Sequence, residues 1–195
     1  MERPIRIALI YGSTRPGRFC DTVVRWAAAE IQAEIAKSAA FELDQIDPAE
    51  PMAIAERLHR ADAFIVVTPE YNHGYPAPLK ALIDETGAEW HAKPVAFVSY
   101  GGVSGGLRAV EQLRLVFAEL HAVSIRDSVS FAGAHTCFNE GGELHAPERP
   151  RRAMKRMLGQ LHWWARALRT ARESAPPYAN AVNGALATRA EGVAA

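Results

Sequence analysis

Cysteine is scarce in this chain of 195 residues: Cys20 and Cys137 are the only two, far apart, and no CxxC pair exists. A disulfide scaffold and a thiolate zinc site are both disfavoured. An excess of either charge is missing too, because 22 Lys+Arg offset 22 Asp+Glu for a formal net charge of zero. That balance argues against a disordered chain, a dedicated polyanion binder and an acidic electron-carrier surface. No run of 18 apolar residues occurs, and the opening MERPIRIALIYG lacks the long apolar stretch of a secretion signal. The expectation is a soluble cytoplasmic protein with no membrane partner. Internal repeats and a central linker are absent as well. What is present is hydrophobic material, 49% of the residues, much of it alanine, in a length suited to one domain.

Apolar patterning places elements along the chain. Ile5 to Tyr11 reads as a strand buried on both faces, ending at Gly12. Val24, Ala27, Ala28, Ile31 and Ile35 recur at helical spacing. Phe41 to Ile46 alternates apolar and polar residues, as in a half-buried peripheral strand. A short helix is expected over Met52 to Arg60. Strands are expected over Ala61 to Thr68, Pro94 to Tyr100 and, more weakly, Ala122 to Val129. Helices are expected over Ala77 to Thr86, Gly105 to His121 and Glu148 to Arg172. Ser130 to Pro147 reads as irregular. The division that follows is one domain over residues 1–173 and an alanine- and proline-rich tail over 174–195. Repeated strand–helix units call for a five-stranded doubly wound parallel α/β sheet in the order 2-1-3-4-5. Ligands of such sheets bind at the carboxyl ends of the strands where the order reverses. The loops after strands one, three and four should therefore carry the chemistry.

All three loops have unusual compositions. Gly12-Ser13-Thr14-Arg15-Pro16-Gly17-Arg18 precedes a helix and combines small residues with two hydroxyls and two guanidinium groups. That set suits a phosphate monoester, which carries roughly −1.5 to −2 charges at neutral pH. The loop is neither GxGxxG nor GxxxxGK[ST], which disfavours a pyrophosphate Rossmann site and nucleotide hydrolysis. Pro69-Glu70-Tyr71-Asn72-His73-Gly74-Tyr75-Pro76 offers backbone donors and aromatic faces to a flat heterocycle, with positive φ expected at Asn72 or Gly74. His73 reads as an exposed loop residue. Ser99-Tyr100-Gly101-Gly102-Val103-Ser104-Gly105-Gly106 permits close backbone approach to a ligand. Taken singly, each loop also reads as an ordinary turn; together they fall at the one place in the topology where ligands bind.

GSTRPGR, TPEYNHGYPAPLKALID and SYGGVSGG together resemble the NADPH-dependent FMN reductase family, which includes quinone, azo-dye and chromate reductases, over roughly residues 4 to 170. The resemblance implies a flavodoxin-like fold, tightly held FMN, and NADPH as co-substrate. It implies that Ser13, Arg15 and Arg18 bind the phosphate, with Thr14 and Phe19 beside the ribityl chain or phosphate. It implies that Pro69, Glu70, Tyr71 and Asn72 cradle the isoalloxazine, mainly through backbone groups, and that Ser99, Tyr100, Gly101 and Gly102 close its other edge. Position 20 departs from the small or polar residues of many relatives; Cys20 reads as a packed thiol at the first helical turn rather than a redox centre, although a helix start can lower a thiol pKa. No side chain is assigned as catalytic, because the flavin carries the hard chemistry. Ping-pong transfer from NADPH to a small acceptor (flavin, quinone, azo compound or chromate) is implied, with Arg15 or Arg108 as candidates for the 2′-phosphate.

Two other functional classes are open to the sequence. One is a non-catalytic flavin carrier, which the neutral charge disfavours. The other is a nucleic-acid module on the arginine-rich last helix, whose bland reading is a solvated face with salt bridges to its neighbours. His121, His135 and His145 lack metal-site spacing. Relatives of this type imply a homodimer or homotetramer, with one of Trp163 and Trp164 packed on the sheet and the other facing a partner. The Ser130 to Pro147 segment, with His135, Phe138 and His145, is expected to be able to reach a neighbouring subunit's active site.

Overall fold

The computed structural model describes residues 3–50 and 52–175. Five strands form one parallel sheet: β1 (Ile5–Tyr11), β2 (Phe41–Ile46), β3 (Ala63–Pro69), β4 (Pro94–Gly101) and β5 (Val123–Ala132). Their spatial order is β2-β1-β3-β4-β5, the doubly wound arrangement that the strand–helix alternation called for. Six helices connect or follow them: α1 (Cys20–Ser38), α2 (Ile54–Arg60), α3 (Ala77–Asp84), α4 (Leu107–Glu119), α5 (Ala134–Cys137) and α6 (Glu148–Ser174). A 3-10 turn at Ala88–Trp90 precedes β4.

The period-two alternation of the inner strands builds two cores. Ile5, Ile7, Leu9, Ile65, Val67, Ala96 and Val98 face α1 and α6, meeting Val23, Val24, Ala27, Ile31, Met157 and Leu161. Ala8, Ile10, Phe64, Val66, Val95 and Phe97 face the other way, toward α2, α3 and α4, meeting Leu58, Leu79, Leu82, Leu113 and Phe117. Every residue of β3 is buried, which is why that strand reads as a continuous apolar run. Trp90 closes the second core. It is fully buried between Phe64 and Phe117, and its indole N–H donates to Thr86 Oγ1 at 2.8 Å.

The expected irregular segment from Ser130 to Pro147 needs correction. β5 continues to Ala132, with Ser130, Phe131 and Ala132 paired to Ser99, Tyr100 and Gly101. The short helix α5 follows. The register of β5 on β4 slips between Val95 and Phe97, and Ser124, Ser128 and Ser130 interrupt the apolar residues of this edge strand. Both features blur its apolar period. Residues 176–195, nearly all of the expected tail, lie outside the described residues. No helix among the described residues is long and apolar enough to cross a membrane, and no group of three or more His, Cys, Asp or Glu there could hold a metal ion.

At the amino ends of the strands, Asp62 is 2% exposed and accepts two hydrogen bonds from Arg3 (2.8 and 3.0 Å) and one from the Arg6 backbone N–H. Arg169 and Arg172 of α6 lie 3.6 and 3.5 Å from the same carboxylate. Nearby, Lys93 is buried and donates to the Leu58 and His59 carbonyls at 2.9 and 2.8 Å. Burial, and then the charge of Arg172, push its ammonium pKa down to about 8. A cavity of about 600 Å³ opens among these groups, but at the edge of the sheet opposite the switch point.

Candidate cofactor site

The order reverses between β1 and β3, and the loops after β1, β3 and β4 meet there. Gly12 ends β1 with its N–H on the Val67 carbonyl at 2.7 Å. A Cβ at this position would stand 2.5 Å from that oxygen, so only glycine lets the chain leave the strand so close to β3. Ser13 is 1% exposed, and its Oγ lies 3.2 Å from the Tyr71 hydroxyl, which joins the first two loops directly. Thr14 is half-buried and Arg15 exposed. Among the described residues, the Thr14 hydroxyl and the Arg15 guanidinium have no hydrogen-bond or ion-pair partner, and the N–H groups of Thr14 and Gly17 find no acceptor, whereas the Ser13 N–H is directed at the Cys20 thiol.

Helix α1 starts immediately beyond. Its N-cap is Phe19, which makes no side-chain cap bond. A helix leaves its first N–H groups without internal partners, and Ser, Thr, Asp or Asn ordinarily supplies one. A phenylalanine cannot. The Phe19 ring packs instead on Tyr100, His135 and Phe138, with centroids 5.8, 4.4 and 5.6 Å away. His135 and Phe138, expected to reach toward another subunit, therefore pack on the first loop of their own chain. The start of a 19-residue helix, two open loop N–H groups, a hydroxyl and a guanidinium lie together, and the Asp21 and Asp47 carboxylates beside them are taken up by Arg18. This donor set fits a phosphate monoester.

Arg18 is differently placed. Both of its Nη atoms reach the Asp47 carboxylate, Nη1 also donates to the Ser13 carbonyl at 2.5 Å, and Nε donates to Asp21 at 2.7 Å. The guanidinium lies 4.8 Å from the Tyr11 ring centroid, and its side chain is 11% exposed. Hydrogen bonding to Arg18 holds the Asp47 carboxyl below its usual range, against the opposing effect of burial. Arg18 thus ties the loop to the end of β2. The parallel register that sets Ile10 beside Ile46 brings Asp47 next to Tyr11, a partnership readable from strand order though not from spacing.

Cys20 is the packed thiol expected at the first turn of α1. It is fully buried, its thiol lies 3.7 Å from the Val67 carbonyl, and burial pushes its pKa up to about 11 despite the helix start. Desolvation outweighs the dipole here.

In the second loop, Tyr71 and Gly74 exchange backbone bonds of 2.9 and 3.1 Å across a two-residue turn with φ of 51° at Asn72 and 69° at His73. Positive φ falls on Asn72 as expected, and on His73 rather than Gly74. The Glu70 N–H donates to the Tyr100 carbonyl at 3.1 Å, so the N–H groups of Glu70 and Tyr71 are spent inside the protein. The Asn72 and His73 N–H groups are the open ones. The Glu70 carboxylate, 7% exposed, accepts the Arg108 backbone N–H at 3.1 Å and its guanidinium at 3.0 Å, capping α4. Burial raises its pKa, but bonds from Ser104 and Arg108 outweigh that and hold it low. Pro69 is buried as the last residue of β3. This capping role of Glu70 has no short sequence signature, because its partner stands 38 residues away.

The third loop divides in two. Ser99 is fully buried and donates to the Gly105 carbonyl at 2.8 Å, and Ser130 donates to the same oxygen at 2.9 Å. Tyr100 is 6% exposed in the core beside Cys20 and Phe19, with its phenol pKa pushed up by burial. Gly106 has φ of 84°, and a Cβ there would stand 2.7 Å from Ser99 Cβ and 2.8 Å from the Tyr100 nitrogen. Gly105 and Gly106 therefore serve packing. Gly101 is half-buried against Glu70, whereas Gly102 is exposed: a Cβ added there would meet nothing within 4 Å, and its carbonyl holds the Gly133 N–H at 2.8 Å.

A doubly wound sheet whose switch point pairs an anion-ready helix start with two enclosing loops defines an α/β protein built for a phosphorylated ring cofactor. The family model described as NADPH-dependent FMN reductase matches residues 5–136, and the chain belongs to that family. It is 32% identical over 124 residues to an NAD(P)H-dependent FMN reductase of Schizosaccharomyces pombe, covering 52% of this chain and 60% of that relative's length. A quinone reductase of Pseudomonas putida is 30% identical over 169 residues, covering 77% of this chain and 90% of its own. Among solved structures, the flavoenzyme NAD(P)H:(acceptor) oxidoreductase FerB of Paracoccus denitrificans aligns with a TM-score of 0.63 at 17% identity, covering 84% of this chain and 98% of its own, which establishes the shared fold.

Proposed function

We propose that the chain is an NADPH-dependent FMN oxidoreductase that reduces small acceptors. The observation that carries the reading is the uncapped start of α1 beside the open donors of Thr14, Arg15 and Gly17. In this reading Ser13, Thr14 and Arg15 hold the phosphate, and Arg18, pinned by Asp47, keeps their loop in shape. The Asn72 and His73 N–H groups, the Tyr71 ring and the Gly101–Gly102 backbone border the ring. Glu70, Ser99, Tyr100, Pro69 and Phe19 position those segments from beneath. Bound there, FMN supplies two-electron acceptance and donation, the chemistry no side chain of the site offers. The residues orient the donor, exclude alternatives and place N–H dipoles where negative charge accumulates on reduction.

Donor and acceptor share one open face in turn, which gives ping-pong kinetics; flavin, quinone, azo compound and chromate are the acceptor classes. Four arginines of the last helix are engaged within the fold, which favours the solvated, salt-bridged face over a nucleic-acid module. Arg151 pairs with Glu30, Arg156 with Asp127, and Arg169 and Arg172 lie on Asp62. A cytoplasmic homodimer or homotetramer fits the 63% exposure of Trp163 beside a Trp164 that packs on the core. The test is an absorption spectrum of the purified protein, then anaerobic NADPH addition and steady-state assay with a soluble quinone. A flavin spectrum that bleaches, with parallel double-reciprocal lines, is expected. A protein that cannot be loaded with FMN overturns the reading, and bleaching without turnover converts it to a carrier.

A further inference from the structure

A cavity of about 830 Å³ runs along the open edge of β5, between Ser128–Ala132 and the first turns of α6. Its location ties it to the site just described. Gly133 donates to the Gly102 carbonyl, Ser130 donates to the Gly105 carbonyl, and Leu107, the residue after Gly106, forms part of its wall. Along the carboxyl edge of the sheet the order of features is therefore the anion-ready loop after β1, the ring-bordering loops after β3 and β4, and then this cavity beyond β5.

Three arginines of α6 line it: Arg149, Arg152 and Arg156. Their i, i+3, i+7 spacing sets them on one helix face. Arg156 has a long contact with Asp127 at 3.8 Å. Arg149 and Arg152 are exposed and make no ion pair among the described residues, in contrast to Arg151, which is bound to Glu30 at 2.9 Å. An apolar floor of Leu107 and Ala153 lies within reach of the same cations. Cations without counter-ions beside an apolar wall match an aromatic base attached to a phosphorylated ribose.

We infer that this cavity takes the adenosine end of NADPH, with Arg149 and Arg152 holding the 2′-phosphate and setting the preference for NADPH over NADH. The inference rests on the proposed reductase function. It replaces Arg15, whose place is at the opposite end of the site, and Arg108, whose guanidinium is on Glu70 at 3.0 Å.

The experiment compares the flavin-loaded wild type with Arg149→Gln/Arg152→Gln and with Arg108→Gln. Calorimetric titration uses 2′,5′-ADP and 5′-ADP as probes, and steady-state assays use NADPH and NADH. In the double variant, 2′,5′-ADP affinity and the kcat/KM ratio of NADPH to NADH each fall about tenfold or more. The change sits in KM, as for uniform binding, while 5′-ADP affinity and melting temperature stay as in wild type. Equal 2′,5′-ADP binding by wild type and double variant overturns the inference, as does an equal loss produced by Arg108→Gln alone. A wild type that holds FMN and oxidises both nucleotides without preference overturns the inference and leaves the reductase reading standing; a wild type that oxidises neither ends both.

Discussion

Replacing Arg15 and Arg18 in turn separates a ligand-binding cation from a loop-holding one. Arg15 is exposed and has no partner among the described residues, so Arg15→Gln removes nothing from the folded apoprotein. A charge-assisted hydrogen bond contributes roughly 1.5–3 kcal/mol, so its loss weakens FMN binding about 10- to 150-fold. Arg18→Gln removes the Asp47, Asp21 and Ser13 contacts of a pair whose side chains are 11% and 15% exposed. Breaking a fully buried pair costs about 3–5 kcal/mol, and partial exposure brings the expectation to about 2–3 kcal/mol, or a melting-temperature loss of about 5–10 °C for a chain of this length. Asp47→Asn should repeat most of that loss, and the Arg18→Gln/Asp47→Asn double variant should be little worse than either single one. Apoprotein melting and quenching of FMN fluorescence on titration measure the two quantities separately. Wild-type FMN affinity in Arg15→Gln, or a large affinity loss in Arg18→Gln with no change in apoprotein melting, would refute the division of roles.

Gly106→Ala should destabilise the protein by about 3 kcal/mol or more in denaturant unfolding, because a left-handed backbone and a contact of 2.8 Å with the Tyr100 nitrogen both oppose the added methyl. Gly102→Ala, with open space around it, should stay within about 0.5 kcal/mol; equal effects at the two sites would remove the distinction between packing and open glycines. Lys93 sets a pH dependence. Unfolded Lys93 keeps its proton to near 10.5 and folded Lys93 loses it near 8, so between those values the unfolded chain binds more protons and stability rises with pH. From about pH 7 to 9 the wild type should gain about 1 kcal/mol relative to Lys93→Met. Above pH 9 the raised Cys20 thiol acts in the opposite direction. Parallel stability curves for the two proteins would show that the buried ammonium does not titrate as argued.

The sheet order and the three converging loops were legible because inner strands of a parallel sheet are apolar throughout and small residues crowd their carboxyl ends. Within those loops the roles of individual side chains were less legible. Arg15 and Arg18 look alike in GSTRPGR, and only the strand register reveals that Asp47 stands beside one of them. Ser99 and Tyr100 look like ring contacts in sequence, yet β4 is buried on both faces of the sheet and buries them with it. Glu70 caps a helix that begins far along the chain, a relation no local pattern records. The end of β5 is hidden in the sequence because serines break its apolar period, and one of them, Ser130, donates its hydroxyl to the Gly105 carbonyl.

The Asp62 cluster bears on how the molecule is made. The carboxylate sits between Arg3, ahead of the first strand, and Arg169 and Arg172, near the end of the last described helix. During synthesis the whole sheet emerges from the ribosome before the two cations that complete this cluster do. A nascent chain halted short of residue 169 carries an acidic group at the sheet's amino edge with only part of its counter-charge, and the final turns of α6 act as the latch that closes the finished protein.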